Sequence, residues 1–367
     1  MMKRITTILA ASAFALLAAS VSAEEEKLLN IYNWSDYIAE DTLANFEKET
    51  GIKVVYDVFD SNDVLEAKLM SGRTGYDIVV PSSTFMARQI QAGVFQPLDT
   101  SKIPNLKNLD PVMMKRLDTM DPGNKYGVPY LWGTTGIGYN VKKIKELLGD
   151  DAPVNSWDLF YDPKYASKLA SCGIAVLDAW DEIIPATLNY LGEDPNSHDA
   201  KLVKGKVKDK LMEIRPYITY FHSSQYINDL ANGDVCLAVG WSGDIIQAMD
   251  RAEDAGAGVE LAYAIPHEGA GLWFDMLTVP KDAKHPENAF AFINYLLRPE
   301  VMAGITNYVW YPNAVPSSNP LIDEEITGDP SIYPDEETSS KLYSFEITPD
   351  KFDRMATRVW ARVLSGR

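Results

Sequence analysis

Positive charge is what this 367-residue chain lacks most: 34 Lys and Arg stand against 52 Asp and Glu, for a formal net charge of −18. Phosphate recognition rests on clustered basic side chains, so nucleic acid is set aside as a partner. Cysteine is nearly absent, with only Cys172 and Cys236, and the histidines are His198, His222, His267 and His285. Such a scattered set, without H-E-x-x-H spacing, builds no recognisable metal site, and neither metal nor cofactor is expected. Signatures of catalysis are missing as well. Gly240-Trp241-Ser242-Gly243 approaches a G-x-S-x-G elbow but brings its second glycine one position too early, and no G-x-x-x-x-G-K-S/T loop or strand-linked G-x-G-x-x-G occurs. The expectation is a protein that is not an enzyme.

Long apolar runs are scarce too. The one candidate, residues 5–19, follows Lys3 and Arg4 and precedes Val21-Ser22-Ala23, the order of a secretory signal peptide cleaved after Ala23. It falls short of the ~20 residues that span a bilayer. No cysteine sits near the cleavage site, so no lipid anchor is expected, and the exported chain should be soluble. In an oxidising compartment Cys172 and Cys236 read as a disulfide, the alternative being two buried free thiols.

What remains is ordinary globular material, 46% hydrophobic and 23% charged, too long for one core to serve comfortably. Strand and helix alternate from the start: strands at 28–32, 52–58 and 76–80, helices at 39–50, 61–70 and 83–92, with Gly51, Gly72 and Gly93 as stops. Alternation of this kind means an α/β fold with a mostly parallel sheet. Further strands are expected at 174–177 and 235–239, with helices at 223–232 and 243–252 flanking the second. Segments 126–139 and 259–280 are extended, the latter patterned like a pair of long strands, and 286–308 reads as helix before a loop-rich tail and a last helix near 349–364. Interlobe crossings near 130–139 and 259–266 give two discontinuous lobes: 24–133 with 262–310, and 134–261 with 311–367.

One feature recurs. Trp34-Ser35-Asp36-Tyr37, Trp180-Asp181-Glu182, Trp241-Ser242-Gly243-Asp244 and Trp273-Phe274-Asp275 each put a tryptophan within three residues of a carboxylate, at or just after an expected strand. Side chains at the carboxyl ends of α/β strands line the ligand crevice. Aromatic faces rimmed by carboxylates suit a cationic, partly aliphatic ligand, because an ammonium has three donors and no acceptor and is drawn to π faces. Core packing beside a solvated acid is the bland alternative for any single pair, and Trp157-Asp158 fits it, reading as a helix start. The competing ligand is a sugar, bound or hydrolysed between two carboxylates. None of the four segments holds Lys or Arg, which favours the cation.

The stretches 30–38 (Asn-Ile-Tyr-Asn-Trp-Ser-Asp-Tyr-Ile), 46–54, 134–140 and 220–230 (with Phe-His-Ser-Ser-Gln-Tyr at 221–226) resemble the periplasmic polyamine-binding proteins of ABC transporters, most of all the putrescine-binding members. The resemblance implies a type II periplasmic-binding-protein fold, two α/β lobes closing on a linear polyamine, and delivery to an inner-membrane permease and its ATPase by a monomer. By position, it gives Asp244 and Asp275 to one terminal ammonium, with Ser35 nearby. Asp36 and Glu182 go to the other end, partly through water, with Ser82 lining the pocket and Trp34, Tyr37, Trp241, Trp273 and Tyr311 as walls. A Cys172–Cys236 disulfide also fits that family. Putrescine-selective members carry Phe where this chain has Trp273, and a Trp there is similar to spermidine-preferring relatives, which argues against strict putrescine selectivity.

Overall fold

A computed structural model of the chain describes residues 25–367, so the expected export segment 1–23 lies outside the described residues. Strand β1 (Leu28–Trp34) pairs in parallel with β2 (Lys53–Phe59) on one side and with the short β3 (Ile78–Val79) on the other. Helices Thr42–Thr50, Asn62–Ser71 and Ser83–Gln91 fill the intervals. The first ends where glycine predicts, Gly51 taking the left-handed conformation (φ 73°) that releases the chain into β2. Then come β4 (Gly127–Asn140), β5 (Ile174–Val176), β6 (Tyr220–Phe221), β7 (Leu237–Trp241), β8 (Leu261–Ala264), β9 (Gly271–Thr278) and β10 (Tyr343–Ser344). The sheet runs β2-β1-β3-β9-β4-β7-β5-β6, with β8 also on β4 and β10 on β9.

The 14 residues of β4 organise the molecule, since an extended chain of that length reaches about 46 Å. Its first half antiparallels β9 and its second half β8, while β7 takes the other edge of that second half. The expectation that 259–280 forms a paired couple of strands is therefore corrected. β8 and β9 do not pair with each other but follow one another along the same edge of β4, because the six residues between them carry the chain from one half of β4 to the other.

Buried apolar side chains gather into two large cores. One draws on 29–131 and 272–315, the other on 137–263 and 352–363, and β4 supplies both, with Val128, Tyr130 and Leu131 in the first and Ile137 in the second. Leu261 and Tyr263 of β8 belong to the second core. Tyr311, Ala314 and Val315 are buried in the first core, the main chain of Leu131 bridging to Asn313. The helical run 286–308 divides into Pro286–Leu296 and Pro299–Val309, since Pro299 suits a first helical turn and cannot continue the preceding helix. The last helix, Asp350–Ser365, seals the second core with Phe352, Ala356, Val359, Trp360 and Val363.

Cys172 and Cys236 form a disulfide, Cα to Cα 5.5 Å, tying the turn before β5 to the start of β7. Closing a loop of 64 residues stabilises by about 4 kcal/mol in the chain-entropy model. No described helix is long and apolar enough to cross a membrane.

Candidate functional site

Where the two cores face each other, Trp34, Ser35, Tyr37, Ser82, Glu182, Trp241, Asp244, Trp273, Asp275 and Tyr311 line one cavity. They arrive by short local routes. Trp34 ends β1, and its indole donates to the Val80 carbonyl at 2.8 Å, fixing the ring at the first core's rim. Trp241 ends β7, and Asp244 follows in the first turn of the helix Ser242–Ala255. Glu182 likewise sits in the first turn of the helix Trp180–Tyr190. Helix N-termini favour the ionised form of both carboxylates. Trp273 and Asp275 lie inside β9 rather than at its end, and their two-residue spacing puts both on one face of the strand.

Three carboxylates in this cavity are almost fully removed from water: Glu182, Asp244 and Asp275 keep 7%, 6% and 4% exposure. Each is held by neutral donors. Tyr37 and Ser82 hydroxyls donate to Asp275 at 2.8 and 2.7 Å. Tyr226 and Tyr311 hydroxyls donate to Asp244 at 2.8 and 2.6 Å. The Thr135 hydroxyl and the Trp241 indole, the latter at 2.9 Å, donate to Glu182. Among the described residues no Lys, Arg or His comes within 4.0 Å of any of the three; Arg251, the cation of this region, pairs instead with Asp36. Burial pushes all three up to about 7, against the hydrogen bonds that pull them down. Mutual repulsion adds to the rise, Asp244 acting on Glu182, and both of these on Asp275.

Aromatic rings close the walls. Trp34, Trp241, Trp273, Tyr311 and Tyr37 form an unbroken edge-to-face chain with successive centroids 5.5, 6.4, 5.4 and 5.1 Å apart. Two glycines make room for it: a Cβ on Gly133 would sit 2.6 Å from the Trp273 ring, and one on Gly243 2.5 Å from that of Tyr311. Three acids with acceptor oxygens and no cation, inside a ring of π faces, can hold an elongated ligand with positive charge and an apolar middle.

The structure thus brings ten of the expected site residues together and leaves Asp36 apart. Asp36 takes a left-handed backbone (φ 53°), which turns it out of the lining between Ser35 and Tyr37, and its carboxylate meets Arg251 at 2.8 Å. Trp180 also departs from the wall expected for its pair, lying buried in the second core while Glu182 reaches the cavity. Asp158 has the bland role foreseen, accepting from the Tyr190 hydroxyl at 3.0 Å beside the fully buried Trp157. Reading the sequence missed Tyr226 and Thr135, which hold Asp244 and Glu182. Neither is adjacent to an acid in sequence, and the only signal was their place in the distinctive segments 220–230 and 134–140. No described cluster of three or more His, Cys, Asp or Glu could hold a metal ion.

Residues 41–334 match the family described as bacterial extracellular solute-binding protein. The chain is 56% identical over 355 residues to the putrescine-binding periplasmic protein PotF of Escherichia coli (strain K12), covering 96% of each. It is 53% identical to the putrescine-binding periplasmic protein SpuD of Pseudomonas aeruginosa (strain UCBPP-PA14) over the full length of both. Among solved structures it resembles the spermidine/putrescine ABC transporter substrate-binding protein PotD from Streptococcus pneumoniae, with TM-score 0.74 and 33% identity, over 92% of this chain and 99% of that one.

Proposed function

The chain belongs to the bacterial extracellular solute-binding proteins, and we propose that it is a periplasmic receptor that captures a linear polyamine, putrescine or spermidine, and delivers it to an inner-membrane ABC permease. The observation that carries this reading is the set of three buried carboxylates with no cationic partner inside an aromatic wall. Such a site is costly when empty, because buried charge without a counter-charge is poorly solvated, and an ammonium supplies what it lacks. Asp244 and Asp275 take one terminal ammonium, with Ser35 and Ser82 beside it, and Glu182 takes the other end. Trp34, Tyr37, Trp241, Trp273 and Tyr311 cover the methylenes. Asp36 acts from outside the cavity through Arg251.

The two cores are read as two lobes that close over the ligand. Trp34 and Tyr37 stand on the first, Trp241 and Asp244 on the second, so a polyamine touching both favours the closed arrangement by its differential affinity. The protein acts as a monomer without chemistry of its own, and transport draws on the permease's ATPase. A sugar is not favoured, since hydroxyl groups leave three buried carboxylates without positive charge.

Isothermal calorimetry on ligand-stripped protein tests the reading. Putrescine or spermidine is expected to bind with one-to-one stoichiometry while glucose and maltose give no heat. Absence of heat with both polyamines overturns it.

A further inference from the structure

In so acidic a chain, the outer face of the last helix is an anomaly. Lys351, Arg354, Arg358 and Arg362 recur at intervals of three and four residues, which sets them on one stripe of the helix Asp350–Ser365, about 16 Å long. Across a groove, Lys204 and Lys208 line the opposite wall, and Phe352, Met355 and Val359 lie between the two basic rows. Among the described residues Lys208 is the only one of these six cations within 4.0 Å of a carboxylate, that of its neighbour Asp209 at 3.1 Å. Arg354, Arg358 and Arg362 repel one another at i, i+4 spacing, a cost to the helix with no return inside the molecule.

The groove is concave and walled by cations on both sides, which suits an acidic polypeptide segment better than a flat lipid surface. We propose that it docks an acidic amphipathic helix of a protein partner, whose flanking carboxylates meet the two basic rows and whose apolar stripe covers Met355 and the exposed edge of Phe352. The surrounding field works against any anion, so only a segment that reaches into the groove gains enough from short-range contacts to stay. The polyamine site contributes nothing to this surface, and the proposal stands independently of it.

Fluorescence anisotropy tests it with a labelled 16-residue peptide carrying Leu at i, i+3, i+4, i+7 spacing and Glu elsewhere. Saturable binding is expected, weakened at least tenfold by Arg354→Glu/Arg358→Glu on one wall and, separately, by Lys204→Glu/Lys208→Glu on the other. Both variants should keep the wild-type circular dichroism and polyamine heat. A shuffled peptide of the same composition, without the apolar stripe, should bind at least tenfold more weakly. No binding, binding indifferent to both wall variants, or equal binding of the shuffled peptide overturns the proposal. So does binding of the protein to phosphatidylglycerol vesicles without binding of the peptide, which makes the groove a membrane contact.

Discussion

Asp244 and Asp275 show how one side chain can be stabilised and frustrated at once. Each receives two hydroxyl donors, Asp244 from tyrosines 226 and 311 and Asp275 from Tyr37 and Ser82, yet neither has a counter-charge. Exchanging either for Asn keeps the shape and deletes the charge that a bound ammonium needs. Polyamine affinity is expected to fall about 100-fold or more for Asp244→Asn or Asp275→Asn, in line with the ~3 kcal/mol typical of an unpaired buried charge partner. Asp158→Asn, at a carboxylate that only steadies Tyr190, should leave affinity unchanged. Without ligand the order of stability reverses: at pH 8 the two site variants should melt above the parent, because they no longer bury an unpartnered negative charge. Calorimetry and thermal melts read both outcomes, and equal loss of affinity in all three variants defeats the assignment.

At the level of elements, the sequence discloses what is local and hides what is not. Helix stops at Gly51 and Gly93 follow from the left-handed backbone each adopts, and the strand expected at 28–32 is plain. Two of the four tryptophan–acid pairs put both members in the cavity, Trp241 with Asp244 and Trp273 with Asp275, because their spacing alone sets them on one strand-to-helix turn or one strand face, while the first keeps only Trp34 there, Asp36 being turned out to Arg251. The remaining pair reaches the cavity only through Glu182, since the first residue of that helix faces the core. Which strands lie beside which depends on partners far along the chain, and the placement of β8 and β9 along β4 has no short-range signature. The same holds for Tyr226 and Thr135, and for Asp36, whose outward turn depends on Arg251 more than 200 positions away. Close packing between elements is open to test. Gly133→Ala on β4 drives a methyl group into the Trp273 ring, whereas Gly205→Ala meets nothing within 4 Å. Displacing that wall should lower polyamine affinity about tenfold in the first variant and not at all in the second, within the 1–3 kcal/mol range of overpacking. Titration calorimetry distinguishes them, and an unaltered affinity in Gly133→Ala would show that Trp273 is no wall.

Across the whole molecule, most of the −18 charge is solvated surface, and its long-range field draws cations inward. The three cavity carboxylates behave otherwise, and pH separates them from the rest. Burial raises their folded values to about 7, whereas an unfolded chain titrates near ~4. Between those limits the unliganded folded protein holds protons that the unfolded chain gives up. The stability these groups contribute is therefore fully present below pH ~4 and is lost as pH rises through about 7. The ammonium ligand has the opposite preference, because it pairs with ionised carboxylates. Polyamine affinity should thus climb from pH 5 to pH 8, and near pH 6 binding should expel protons, visible as a heat that changes with the ionisation enthalpy of the buffer. Ligand protection against unfolding should accordingly be largest at pH 8, where the empty site is least stable. A pH-independent affinity with no proton release would mean that the cavity carboxylates are already charged and paired before the ligand arrives, contrary to the site described above.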